Sequence, residues 1–249
     1  MAAVNRFDDL VNAPAGDRKQ IAERLYDESY AKRLGQSFER PNKRRLERIA
    51  LFKQIIGTGN RCILELGCGS GDLTYALVGS AAKIVATDIS ANAVELAEKR
   101  KELWSLQSGE INKIEFQPMS AVQLDLPDAG FDWAVSTSMI EHLHPDDVDR
   151  HLRDVWRVLQ AGGNYLMWCP NGLGHHEDRE AHLTMLSYKQ WTEKLTKAGF
   201  RRFRSTMTSR LPLVEARWKI ALETILSRSR IKVLWSHLGI RNVLLVATK

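Results

Sequence analysis

Apolar residues along this chain follow two rhythms. From residue 61 onward, short runs rich in β-branched residues alternate with longer segments that repeat an apolar side chain every third or fourth position. RCILEL (61–66), KIVATDI (83–89), KIEFQPM (113–119), FDWAVST (131–137) and GNYLMWC (163–169) read as five strands, and RRFRSTMTS (201–209) and NVLLVATK (242–249) as two more. Three of the segments with helical rhythm are well delimited. SANAVELAEKRKELWSL (90–106) opens on Ser90 as an N-cap. HPDDVDRHLRDVWRVL (144–159) has Pro145 at its first position, acids at the positive end of its dipole, and Val148, Leu152, Val155 and Leu159 on one face. SYKQWTEKLTKAGF (187–200) offers Ser187 and Gln190 as a capping box and Gly199 as its stop.

Strands alternating with helices predict an α/β, Rossmann-like fold with a seven-stranded sheet. Residues 1–60 are helical in character and precede the first strand. About 30 residues separate the last two strands, far more than a hairpin needs. Val214, Trp218, Ala221 and Ile225 share a helical face there, so a helical insertion is expected. The chain therefore reads as one domain, 1–249: a helical cap over 1–60, a core over 61–207 and 242–249, and an insertion over 208–241.

Composition changes this picture little. A chain of 249 residues, 44% apolar and 27% charged, can bury one substantial core. Cys62, Cys68 and Cys169 have neither the spacing of a disulfide framework nor that of a zinc site, and read as thiols in a reducing compartment. The opening residues carry acids where a secretory peptide needs an apolar stretch, and no run approaches the ~20 residues of a bilayer span, so a cytoplasmic protein is expected. The net charge of +6 and pI near 9.3 permit an anionic partner, but the basic residues are spread along the chain as on a solvated face.

The chemistry concentrates in LELGCGSGDL (64–73). Its turn, Gly67, Gly69 and Gly71, is G-x-G-x-G; Asp72 stands where a dinucleotide fingerprint wants its last glycine, and no Gly-Lys-Ser/Thr follows for a phosphate loop. Glu65 sits at the mouth of that turn, where it would repel a pyrophosphate, so it argues for a positively charged ligand. S-adenosylmethionine fits: it carries an ammonium and a sulfonium, and its carboxylate can use the helix start near Asp72. Asp88, at the end of the second strand, is placed to accept hydrogen bonds from two ribose hydroxyls.

Taken together, ILELGCGSGDLT, VATDIS, LDLPDAGFDWAVSTSMIEHL and LQAGGNYLMWCPN resemble the class I S-adenosylmethionine-dependent methyltransferases over most of residues 61–249. Pro170, Asn171, His182, Ser187, Tyr188, Trp191 and the Ala-Gly-Phe at 198–200 are similar to the small-molecule branch that serves ubiquinone, sugar and natural-product methylation. The resemblance implies a seventh strand running antiparallel between the fifth and sixth. It implies that Glu65, Gly67, Gly69 and Gly71 hold the methionine end, that Asp88 holds the ribose and that Ile89 lies against the adenine. Ser120 stands where an aspartate often binds the adenine amino group, Ala121 contributes backbone, and Thr137 and Ser138 close the site. Ubiquinone-type enzymes read E-x-x-E-H after the fourth strand, a segment implicated in holding magnesium. Here Ser138 replaces the first acid, and Glu141 with His142 is too small a set for a hard cation, so no metal is expected.

Methyl transfer to a hydroxyl needs a proton acceptor, and histidine suits it near neutral pH. His142 is the expected base, Glu141 orients it or the substrate, and His182 is a substrate contact or alternative base. His144, His175 and His176 read as surface or capping residues, and HHED (175–178) as a solvated lid. Tyr26 and Tyr30 share a helix face that either roofs the cofactor or packs the first helices on the sheet. The expected partner is a small-molecule acceptor, methylated on oxygen or alternatively on nitrogen. STSMIEHL does not hold the residues that grip a flipped base, so nucleic acid is not the expected partner. A regulatory protein that keeps the cofactor without turnover is the non-enzymatic alternative. The apolar insertion, with Trp218, Ile220, Leu222, Leu226, Val233, Leu234 and Trp235, either covers an apolar or lipid-linked acceptor or packs against the sheet or a second copy; monomer and homodimer both stay open.

Overall fold

Among the described residues, three helices precede the first strand: α1 (Asp8–Val11), α2 (Arg18–Leu34) and α3 (Lys43–Ile56). Asn42 caps α3 by accepting from the Arg45 N–H at 3.0 Å, and Gly57, at φ 72°, ends it. This computed structural model describes residues 7–34, 40–104, 106–173, 181–205, 214–227 and 242–249. The chain divides into two compact units, Met1–Asp125 and Leu126–Lys249.

In the first unit, β1 (Arg61–Leu66) keeps the bounds of its apolar run. It leads through the glycine turn to α4 (Asp72–Leu77), then β2 (Ala81–Asp88), α5 (Ala91–Lys99), α6 (Ser108–Ile111) and β3 (Ile114–Pro118). The strands pair in parallel in the order β3-β2-β1. Ile63, Leu64, Leu66, Ile84 and Ala86 are fully buried, as continuous apolar strands of a parallel sheet require. Ser90 caps α5, its hydroxyl accepting from the Ala93 N–H at 3.0 Å. That helix is shorter than its periodicity predicts. It stops at Lys99 and tightens into a 3-10 turn over Arg100–Trp104, and Arg100 reaches Asp72 from there. Asp27 fastens α2 to the start of α5: its carboxylate accepts from the Ser90 hydroxyl at 2.5 Å and the Asn92 N–H at 3.2 Å.

The second unit holds β4 (Phe131–Thr137), a 3-10 turn at Pro145–Asp147 that runs into α7 (Val148–Val158), then β5 (Leu159–Pro170), α8 (Tyr188–Ala198), β6 (Arg202–Ser205), β7 (Val214–Glu215), α9 (Arg217–Ser227) and β8 (Asn242–Thr248). β4 and β5 are parallel, and β8 runs antiparallel between β5 and β6, the placement that the resemblance implies. Val243 and Leu245–Ala247 are fully buried. All seven expected strands are present, and among the described residues β7 adds a two-residue eighth at the edge of β6. Leu159, expected as the last turn of a helix, instead begins β5 and pairs with Phe131; ladder pairing there overrides the helical period.

Ser187 and Gln190 form the capping box of α8, and Gly199 ends it at φ 111°. A Cβ on Gly199 would lie 2.7 Å from Trp156 Nε1. Gly199→Ala is therefore expected to destabilise by about 2–3 kcal/mol, read as a lower urea midpoint at unchanged m-value.

Only part of the expected insertion is described. There α9 packs on α8 through a buried polar cluster: Lys219 Nζ donates to Tyr188 Oη at 2.9 Å, and Glu223 accepts from the Asn171 side-chain amide at 2.7 Å and the Tyr188 N–H at 3.0 Å. Burial pushes the Lys219 ammonium down to about 8. Val233, Leu234, Trp235, His175 and His176 lie outside the described residues. Among the described residues no helix is long and apolar enough to cross a membrane, and no disulfide joins the three cysteines.

Candidate functional site

The glycine turn is built from its backbone outward. Gly67, Gly69 and Gly71 sit at φ 72°, 52° and 75°, the left-handed region that a Cβ makes costly, so a chain folding back this sharply needs glycine at all three. The Gly67 and Cys68 amides donate to Thr87 O at 2.8 and 2.9 Å, and the Gly69 N–H donates to Asp88 Oδ2 at 2.9 Å. Asp88 Oδ1 accepts from the Ser90 N–H at 3.0 Å. Asp88 thus ties the turn to the end of β2. Burial raises its pKa, and the Ser90 and Gly69 amides oppose the shift.

Glu65 is 1% exposed. Its Oε2 accepts from the Thr74 hydroxyl of α4 at 2.6 Å. Burial lifts its pKa from 4.5 to about 8, against the hydrogen bond from Thr74 and the charge of Arg45. Desolvation is the main cause of this shift, and an ammonium brought beside the carboxylate would favour its ionised form. The site thus fits a cationic ligand on its own electrostatics.

Asp72 does not face a ligand. Arg100 Nη2 and Arg45 Nε each approach its carboxylate at 2.9 Å, with the Asp72 side chain 2% exposed and that of Arg100 9%. This triad went unseen in the sequence because its members are 27 and 28 residues apart and no local spacing signals them. Arg45, also 3.3 Å from Ser70 Oγ, brings a half-exposed cation to the lip of the turn. The two tyrosines of α2 divide the roles open to them. Tyr30 Oη would lie 2.8 Å from a Cβ on Gly69, so it roofs the turn, and burial together with the charge of Asp88 pushes it to about 12. Tyr26 packs against Phe7, with ring centroids 6.0 Å apart.

The remaining cofactor candidates of this unit follow the strand ends. Ile89 is half-buried directly after β2. The Met119 N–H donates to Asp88 O at 2.7 Å, which brings Ser120 and Ala121 alongside that strand end, with Ser120 buried. Thr137 belongs to the second unit, as the last residue of β4.

The second unit gathers the three catalytic candidates. Ser138 follows β4 at φ 53°, an uncommon conformation for a residue other than glycine, and its N–H donates to Trp168 O at 2.8 Å. Ile140–His142 then forms a single 3-10 turn. The segment around His182 is bolted to this turn: the Thr184 N–H donates to Glu141 O at 2.9 Å, and the Thr184 hydroxyl to Leu143 O at 2.7 Å. His142 Nδ1 lies 2.7 Å from Ala181 O. A carbonyl only accepts, so Nδ1 carries the proton and Nε2 keeps its lone pair. One ligand atom from each of Glu141, His142 and His182 lies within 4.8 Å of the others. His144 caps the Pro145 turn instead, accepting from the Asp146 N–H at 3.3 Å.

Residues 63–163 match the methyltransferase domain family. A probable S-adenosylmethionine-dependent methyltransferase of Mycobacterium tuberculosis is 29% identical over 145 residues, which cover 56% of this chain and 48% of the relative. A ubiquinone/menaquinone biosynthesis C-methyltransferase of Hahella chejuensis is 34% identical over 108 residues, covering 42% and 41%. The chain thus spans about half the length of the curated relatives it matches. Among solved structures, the 4+2 cyclase SpnF superposes with a TM-score of 0.63 at 18% identity, over 93% of this chain and 96% of that one, and this likeness shows the fold.

Proposed function

We propose that this chain, a member of the class I S-adenosylmethionine-dependent methyltransferases, moves a methyl group to a hydroxyl of a small-molecule acceptor in the cytoplasm. The observation that carries the cofactor half is the buried Glu65, whose raised pKa asks for a cation at the mouth of a glycine turn. Glu65 would take the ammonium, Arg45 the carboxylate, Asp88 the ribose hydroxyls, and Tyr30 would cover the methionine end, with Ile89, Ser120 and Ala121 toward the base. When bound, the cofactor supplies a methyl on a positively charged sulfur: the bond from acceptor oxygen to carbon forms as the bond from carbon to sulfur breaks, and the electron pair goes to sulfur.

The acceptor hydroxyl must also lose its proton. His142 supports the oxygen reading, because Ala181 O fixes its tautomer with Nε2 as the proton-accepting atom. Glu141 and His182 flank it and hold the acceptor. One of the relatives is a carbon methyltransferase, so the atom methylated is what the experiment must report. Isotopically labelled S-adenosylmethionine, the purified chain and a fractionated metabolite extract, followed by mass spectrometry, should yield an O-methylated product. Label on nitrogen or carbon alone would overturn the oxygen reading, and cofactor binding without transfer to any acceptor would favour the regulatory one. With the acceptor in hand, His142→Ala is expected to lower kcat by about a hundredfold and leave the cofactor Kd unchanged.

A further inference from the structure

Two imidazoles and one carboxylate meet in the second unit, and only one of the two imidazoles is adjacent in sequence to the carboxylate. His182, 40 residues beyond His142, adds the third donor that a count along the chain misses. We propose that Glu141, His142 and His182 form a binding site for a first-row divalent transition-metal ion of the zinc, cobalt or iron(II) class, held by the Glu141 carboxylate, Nε2 of His142 and a ring nitrogen of His182.

Five features carry this. One donor atom from each of the three side chains lies within 4.8 Å of the others, so small side-chain rotations bring the groups to the spacing that bonds of about 2.1 Å impose. The donor set is borderline in softness: imidazole nitrogens suit zinc, cobalt and iron, whereas magnesium and calcium want oxygens. His142 already has the outer support that metal-bound imidazoles use, since its Nδ1–H donates to the Ala181 carbonyl at 2.7 Å. The scaffold is braced, because Thr184 hydrogen-bonds to Glu141 O and Leu143 O and so fixes the strand of chain that presents His182. Glu141 is 1% exposed, and a dication beside it would offset the cost of burying that charge. Three protein ligands leave a coordination position open for water or an acceptor oxygen.

The site rests on its own geometry and not on the methyl-transfer reading. In the metal-loaded chain Nε2 of His142 is a ligand, so a hydroxyl acceptor on the open position would release its proton to solvent, and His142 serves as base only in the metal-free form.

The test uses the full chain, untagged and stripped with a chelator. One equivalent of Co2+ should give visible ligand-field bands, one equivalent of Zn2+ should abolish them, and a tenfold excess of Mg2+ should leave them unchanged. His182→Ala, the milder His182→Gln and Glu141→Gln should each weaken Co2+ binding by about a hundredfold or more. His175→Ala with His176→Ala removes the other histidine pair and should leave the bands intact. Absence of stoichiometric binding by the unaltered chain overturns the proposal, as do bands that survive His182→Ala and Glu141→Gln or vanish with the 175/176 pair. Label transfer by the stripped chain without bound metal would keep the methyl-transfer reading and leave the metal site to stand or fall on the Co2+ result.

Discussion

Replacing Glu65 with glutamine is expected to cost the chain its cofactor and to make the ligand-free protein more stable. The first effect follows from charge. The glutamine amide can still accept from Thr74, but it offers an ammonium a neutral oxygen where a carboxylate stood, a loss on the order of a hundredfold in affinity. The second effect follows from the raised pKa. A folded-state value near 8 against an unfolded value near 4.5 means that this group's contribution is intact below pH 4.5 and is lost as pH climbs through 8. The loss is about 1.4 kcal/mol per pH unit across that window, on the order of 5 kcal/mol in all. Ligand-free wild type and Glu65→Gln should therefore melt together near pH 4.5, and the variant should melt on the order of ten degrees higher at pH 9. Calorimetry at the two pH values measures this, and equal melting temperatures at pH 9 would refute the electrostatic account. Wild-type cofactor affinity should also rise between pH 6 and 8 as Glu65 ionises, and Glu65→Gln, which shares the titration of the ligand itself, should lack that rise.

Asp72→Ala should be the most damaging substitution in the first unit. It removes the carboxylate that Arg100, a side chain 9% exposed, pairs with at 2.9 Å, and breaking a buried ion pair in this way costs about 3–5 kcal/mol. Arg45, at 37% exposure, turns to water and adds little. The matching control is Asp72→Leu combined with Arg100→Met, which removes both buried charges and should recover most of the loss. Urea denaturation of the single and double variants decides it. A double variant no more stable than Asp72→Ala would mean that packing at these positions, not the broken ion pair, sets the cost.

Where the sequence was readable, the signal was local. β1 and β4 begin and end where their apolar runs do, and the Ser187 capping box and the Gly199 stop are properties of residues within one turn of each other. Asp88 was legible for the same reason, as the acid that closes an apolar run. What the sequence hid depends on contacts at long range. Leu159 obeys its pairing with Phe131 and not its helical spacing, Arg100 ends α5 early in reach of Asp72, and Arg45 joins the turn from a helix that carries no motif. His182 is a candidate on its place after the fifth strand, yet its approach to Glu141 and His142 depends on hydrogen bonds from Thr184, which nothing local announces.

Ser90 stands between two carboxylates: its N–H is held by Asp88 and its hydroxyl by Asp27 of α2. The acid assigned to the ribose and the helix that carries Tyr30 are thus two bonds apart through a single residue. Thermodynamic reciprocity then applies: whatever factor a docked α2 adds to cofactor affinity, bound cofactor adds to the docking of α2. The segment ahead of the first strand is in this sense a second ligand of the same site, tethered by the chain, and its docking equilibrium sets how tightly the soluble ligand is held.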